Sequence, residues 1–402
     1  MKLRRALLGA VVAATPLVAC QLLVGIDDDT FTVVPPVAPP APSPDASSDE
    51  AAALPDLCEH RGPPPRPEGG AGGENRMFVL AVARYVLNDS TAGFDLDEVC
   101  SCDPLDRSKG AGQPTCVRSS AAPREAECDS DGGVDNAMGR ALEVVSGLVD
   151  VAKGFNRQVA CGRGTLLLVI SNYNGEADDL DVKVSLIETL GISTDGGAGQ
   201  DADPGCAVDG EAPTAPPKGD GTDYWNVPLG ATPGLRTQVN GWVKDYRLAI
   251  DARRSSSTLP FYFGETLAEL SGVVLTGQLV PLGPTGEVLD GGLDAGAPTS
   301  FRLVDGTLAG RAPVQQLVVG AGLVDDGNVL ACKSPLFETL IRPSVCAAVD
   351  TMHDTSLDLR GLPCDAVSVT ARFDAVPANI GAQQPRMPRT PCGPDWDKQG
   401  CN

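Results

Sequence analysis

Apolar positions along this chain recur mostly at strand-like spacing. From Met77 to Leu87, Phe78, Leu80, Val82 and their apolar neighbours predict a strand buried on both faces or packed in a sandwich. The runs Thr165 to Ile170, Val182 to Ile187, Trp242 to Ile250, Leu259 to Phe263 and Val273 to Val280 predict further strands. Val367, Val369, Ala371 and Phe373 alternate with Ser368, Thr370 and Arg372, the pattern of a half-exposed strand. Phe301-Arg-Leu-Val and Thr307-Leu-Ala-Gly flank Asp305-Gly306. That pair suits a type I′ turn and predicts a tight hairpin.

Helical spacing is rarer. Met138, Leu142, Val145, Leu148, Val149 and Ala152 predict one helix over Asn136 to Ala152, with Asp135 or Asn136 as N-cap. Pro313 suits the first position of a short helix through Val319. Pro335 to Val349 is a further helical stretch, interrupted by Pro343. Strands and helices do not alternate, which disfavours a parallel doubly wound sheet. The expected fold is mainly β: an antiparallel β-sandwich with a few short helices, stapled by disulfides.

Composition sets the boundaries. Eleven of the 34 prolines fall between Pro35 and Pro67, among Ala, Ser, Asp and Gly. Such a segment buries too little apolar surface to fold and is expected to act as a spacer. Residues 20–75 are therefore assigned to an N-terminal tether and residues 76–402 to a β-rich domain. Asp195 to Lys218 and Pro284 to Pro298 are read as loop inserts near 195–218 and 284–298.

The chain starts with Lys2, Arg4 and Arg5, then runs almost wholly apolar from Ala6 to Ala19. At ~1.5 Å per residue this run is too short to span a ~30 Å hydrocarbon core, and it has the form of a secretory signal. Leu17-Val18-Ala19-Cys20 resembles a bacterial lipoprotein cleavage box. The resemblance implies that residues 1–19 are a signal peptide and that Cys20 carries a diacylglycerol on its sulfur. Its freed amine is then usually acylated as well. Two or more acyl chains hold a membrane stably. Gln21, rather than Asp, follows the cysteine, which by the same resemblance favours the outer membrane of the envelope.

The formal net charge of −22 repels phosphate backbones, so nucleic-acid partners are not expected. Of 13 cysteines, 12 remain once Cys20 is set aside. In an exported chain they predict up to six disulfides of undetermined connectivity. An N-terminal set (Cys58, Cys100, Cys102, Cys116, Cys128, Cys161) and a C-terminal set (Cys332, Cys346, Cys364, Cys392, Cys401) stand apart, with Cys206 between. Cys100, Cys102, Cys116 and Cys128 lack the spacing of a structural zinc site.

Asp129-Ser-Asp-Gly-Gly-Val-Asp-Asn136 is the most suggestive constellation. Calcium takes carboxylate and carbonyl oxygens from sharply turned loops, so Asp129, Asp131 and Asp135 are candidate calcium ligands. The same residues also suit a polar turn that caps a helix. Asp325-Asp-Gly-Asn328 is a weaker echo of the pattern. Tyr224 and Trp225 form an aromatic spot that suits an exposed recognition patch, for a glycan for example, or packing under a loop.

Catalytic signals are sparse. The chain has two histidines, His60 and His353, and no Gly-x-Ser-x-Gly elbow, Ser-x-x-Lys motif or phosphate-binding loop. A hydrolase built on paired carboxylates is the enzymatic alternative. Three stretches, Asp131-Gly-Gly-Val-Asp-Asn-Ala-Met-Gly, Leu308-Ala-Gly-Arg and Cys364-Asp-Ala-Val-Ser-Val, resemble a group of uncharacterised bacterial envelope lipoproteins. That resemblance implies no activity. The expectation is a non-enzymatic, membrane-anchored lipoprotein displaying a binding or structural module to an envelope protein or glycan. A calcium-dependent adhesion or carbohydrate-binding module is the alternative.

Overall fold

The computed structural model describes residues 58–69, 72, 76–102, 113–118, 128–146, 151–193, 206, 216–231, 238–263, 266–289, 297–324, 330–386, 392–393, 395–398 and 400–401. The signal, Cys20 and Asp325–Asn328 lie outside them.

The strands are β1 (Met77–Val86), β2 (Leu166–Ser171), β3 (Asp179–Glu188), β4 (Tyr224–Pro228), β5 (Val239–Lys244) and β6 (Arg247–Ala252). They continue with β7 (Leu259–Phe263), β8 (Thr266–Leu282), β9 (Ser300–Pro313), β10 (Ala366–Pro377) and β11 (Asn379–Gln384). The helices are α1 (Ala137–Val145), α2 (Val151–Ala160), α3 (Val314–Gly322) and α4 (Arg342–Ala347). A π-helical turn, Phe337–Ile341, leads into α4.

Eight strands pair in a closed antiparallel circuit, β1-β2-β3-β5-β6-β8-β9-β10 and back to β1. Following the register around it shows why it closes. Leu80 opposes Leu168, Leu168 opposes Leu186, and Val184 opposes Val239. Val243 opposes Leu248, Ile250 opposes Leu275, Leu275 opposes Leu308, and Leu308 opposes Ala371. All these residues are buried in one continuous apolar cluster. Side chains alternate across a strand, so this shared face is the inside of the circuit.

The expected two-sheet sandwich is thus replaced by one ring. The 17-residue β8 is the reason: its first half pairs with β7 and its second half with β6. The β6–β8 ladder removes the free edges a sandwich would leave. β4 and β11 form a separate parallel pair. They cover the outward-facing Ala81, Leu167 and Val169 of β1 and β2.

Other elements depart from the sequence reading for local reasons. The run Trp242–Ile250 is two strands, folded at Asp245 and Tyr246, whose φ values are 51° and 58°. Asp305-Gly306 is no hairpin. β9 runs straight through it and β10 pairs along its length, with a bulge at Asp305 (φ 50°). Gly306 is required there, because a Cβ would lie 2.7 Å from the Phe373 carbonyl oxygen. The predicted helix Asn136–Ala152 is divided between α1, ending at Val145, and α2, starting at Val151. Pro313 is the N-cap of α3, and Pro343 sits at the junction where the π-helical turn passes into α4.

Residues 58–69 were assigned to the tether by composition, but they pack against the domain. Cys58 is bonded to Cys100, and the Arg66 guanidinium lies 4.9 Å from the centre of the Trp242 ring. The packed unit runs from Leu54 to Asn402. All twelve cysteines after Cys20 are paired: 58–100, 102–128, 116–364, 161–206, 332–392 and 346–401. Cys116–Cys364 crosses between the two sets that spacing had separated.

Candidate metal centre

The expected half-exposed strand β10 is buried on both faces, because irregular chain covers its outer side. Phe94 and Leu96 pack on Val274 of β8 and Ala309 of β9. Ser368 of β10 accepts from the Ala137 backbone N–H (2.8 Å) and donates to Asp350 Oδ2 (2.5 Å). Arg311 of β9 stands at the centre of this layer and is 1% exposed. It donates to both Asp358 oxygens (2.8 Å each) and to the Leu96 carbonyl (2.8 Å).

Under this layer Asp95, Asp97 and Asp135 bring one carboxylate oxygen each within 4.8 Å of one another. Asp95 is 0% exposed and Asp135 is 4% exposed. Each is held by backbone. Leu96 N–H donates to Asp135 Oδ2 (2.7 Å), and Val99 N–H lies 3.2 Å from Asp95 Oδ1 and 3.0 Å from Asp97 Oδ1. The Thr115 hydroxyl donates to Asp97 (2.8 Å), and His60 Nδ1 lies 2.5 Å from Asp95 Oδ2. Asp129 accepts from Ser101 N–H (2.6 Å).

The charge in this layer is poorly compensated. Among the described residues Arg311, which pairs with Asp358, Arg118 at 3.9 Å from Asp350, His60 and Arg253 stand beside six carboxylates: Asp95, Asp97, Asp129, Asp135, Asp350 and Asp358. Burial, then the charge of Asp97, pushes Asp95 up to about 7 against the pull of His60. Burial and the same Asp97 charge push Asp129 up to about 8. Burial also raises Asp97, with Arg311 opposing, and raises Asp135 well above the usual carboxylate range. Carboxylates that outnumber the cations described beside them suit a hard divalent cation, which takes oxygen ligands and supplies positive charge.

The contiguous loop expected over Asp129–Asn136 is not the arrangement found. Asp135 joins the trio, Asp129 borders it, and Asp131 is exposed away from it. Asp95 and Asp97 come from a separate segment. Their Asp-Leu-Asp spacing was the available signal, and it lacked the glycine that marks a calcium turn. Asn136 caps α1 instead: its Oδ1 accepts from Gly139 N–H (3.0 Å). Gly133 makes room for the trio. Its φ is +69°, and a Cβ there would lie 2.9 Å from both Asp95 Oδ2 and Cys100 Sγ.

Trp225 is 1% exposed and packs among Ala81, Leu167 and Val169, so it is core and not a recognition surface. Tyr224, the next residue along β4, is 44% exposed. Asp95 and Asp135 are sealed from any substrate, and the Ser271 hydroxyl donates to the His353 carbonyl and not to its ring. Among the described residues no helix is long and apolar enough to cross a membrane. No protein-family model, curated protein or solved structure matches the chain.

Proposed function

We propose that the chain is a lipid-anchored envelope protein that displays a disulfide-stapled β domain as a binding or structural module, without catalysis of its own. The observation that carries the reading is the cysteine count. Every cysteine after Cys20 has a partner in the fold, which leaves Cys20, inside the Leu-Val-Ala-Cys box, as the one left over. Six disulfides suit an oxidising compartment outside the cytoplasm. An unpaired cysteine directly after a signal-like apolar run suits alkylation by lipid.

The test is mass spectrometry of the mature N-terminus together with cell fractionation. An acylated N-terminal Cys20 in the membrane fraction, moved to the soluble fraction by Cys20→Ser, is the result this reading requires. A wild-type chain with unmodified Cys20 in the soluble fraction sinks it.

A second reading follows from the carboxylate trio. A divalent cation, calcium foremost, held by Asp95, Asp97 and Asp135 would clamp the loop layer to the outer face of β8–β10 and make the module calcium-dependent. Ligand at 100 times its dissociation constant stabilises by ~2.7 kcal/mol. Thermal unfolding with calcium and with chelator therefore separates the two readings. Equal midpoints leave a module without a cation.

A further inference from the structure

The second donor cluster in the molecule is of a different kind. Cys58, His60 and Cys100 each bring a ligand atom within 4.8 Å of the others. Cys100 Sγ is 3.8 Å from His60 Nδ1. The two sulfurs are joined in a disulfide, so the oxidised chain offers no thiolate there. We propose that this is a redox-exchangeable zinc site: a disulfide when oxidised, and a Cys58–His60–Cys100 zinc centre completed by Asp95 when reduced.

Geometry favours the exchange at this pair. Zinc–sulfur and zinc–nitrogen bonds of ~2.3 and ~2.0 Å at a tetrahedral angle place sulfur and nitrogen ~3.5 Å apart, close to the separation present. Two zinc-bound sulfurs stand ~3.8 Å apart, so they must part relative to a disulfide. The Cα atoms of Cys58 and Cys100 are already 6.5 Å apart, whereas the other five pairs span 5.2 to 5.9 Å. Parting the sulfurs therefore asks little of the backbone. Buried Asp95 lies 2.5 Å from His60 Nδ1, whereas nitrogen and oxygen ligands of one tetrahedral zinc stand ~3.3 Å apart, so Asp95 must part from the ring by under ~1 Å to become the fourth donor. Cys58 is only half-buried, so a thiol can reach it.

The chemistry balances with a thiol as reductant. Two thiols reduce the Cys58–Cys100 bond by exchange and leave as their own disulfide, and two cysteine thiols form. Zinc then displaces their two protons and binds both thiolates. A two-electron oxidant reverses the sequence and releases the metal. In both states the start of the packed unit stays fastened to the loop layer.

The test equilibrates the full chain in glutathione redox buffers with zinc, with calcium, or with chelator, and maps each disulfide by alkylation and mass spectrometry. Zinc at 100 times its dissociation constant favours the reduced pair about 100-fold, so Cys58–Cys100 opens in buffers about that much less reducing. Calcium leaves its midpoint in place, and His60→Gln abolishes the zinc shift while Cys116–Cys364 stays closed. A wild-type midpoint that zinc does not move overturns the proposal, as does a shift that calcium reproduces or that survives His60→Gln. If His60→Gln fails to fold, cobalt added to the reduced wild-type chain decides. An intense visible tetrahedral spectrum with thiolate charge transfer supports the site, and its absence rejects it.

Discussion

Arg311 shows how one side chain fastens the loop layer to the ring. Burial lifts Asp358 to about 6 even against the downward pull of Arg311. Truncating Arg311 to alanine leaves that carboxylate and the Leu96 carbonyl without their donor in a buried setting. Breaking one half of a buried pair costs about 3–5 kcal/mol. The midpoint of Arg311→Ala in calorimetry should fall by about 4–7 degrees. A loss of only a degree or two would mean that the layer is held elsewhere.

The carboxylates beside it give a pH signature. Folded, Asp95 and Asp129 keep their protons to about pH 7 and 8. Unfolded, they lose them near ~3.9. Between those values the folded chain binds more protons than the unfolded one, so stability falls as pH rises through that window. In chelator the unfolding midpoint should drop steadily from pH 5 to pH 8. Cation binding needs the deprotonated carboxylates, so any gain from calcium should be larger at pH 8 than at pH 5. A midpoint that climbs across this range would show that the buried cluster is ionised and satisfied without metal. The sequence marked one of the three carboxylates of this site. Asp135 stood out beside glycine, but Asp95 and Asp97 meet it only through tertiary folding, 38 to 40 positions away, and no local pattern encodes that meeting.

At the scale of elements, the α1 terminus does more than end a helix. Asn136 Oδ1 caps Gly139, while its Nδ2 donates to the Asp89 (2.9 Å) and Ala92 (3.0 Å) carbonyls, joining the helix to the chain that leaves β1. Asn136→Asp keeps the cap and loses both donations. Asn136→Ala loses all three. Urea unfolding should rank wild type above Asn136→Asp, and Asn136→Asp above Asn136→Ala or close to it, with the alanine variant down by about 2–4 kcal/mol. A neutral Asn136→Asp would mean that the two carbonyl bonds add nothing. Strands were legible because period-two apolar runs survive any tertiary arrangement: β1, β2, β3 and β7 lie where the pattern put them. Turns were less so. Asp245-Tyr246 carries none of the glycine that marks a type I′ turn, yet it folds β5 onto β6. Asp305-Gly306 carries the full signal and makes a bulge, because β8 and β10 flank β9 on both sides and pair along it. Ring closure was invisible, since it depends on β8 outrunning its β7 partner and reaching β6.

For the molecule as a whole, the six disulfides are not equivalent. Four pairs close loops of 26 to 55 residues, and Cys332–Cys392 closes one of 60. Cys116–Cys364 closes one of 248. It also fixes the segment that supplies Thr115 to Asp97, immediately before β10, where Val117 N–H donates to the Leu362 carbonyl (2.8 Å) and Cys364 N–H to the Val117 carbonyl (3.0 Å). In the chain-entropy account a longer loop restricts the unfolded chain more. The estimate is ~5 kcal/mol for this bridge against ~3.5 for Cys102–Cys128. Paired Cys→Ser substitutions should therefore destabilise more at 116/364 than at 102/128. Removing 116/364 should also abolish any stabilisation of the loop layer by calcium, because Asp97 loses the segment that orients it. Hydrogen exchange at Leu96 and Val99, whose N–H groups bond the trio, reads this directly. Fast exchange at both, with the amides of β2 and β3 still protected, would show the loop layer released from an intact ring. Uniform loss of protection would show instead that layer and ring fold as one unit, and that this bridge holds both.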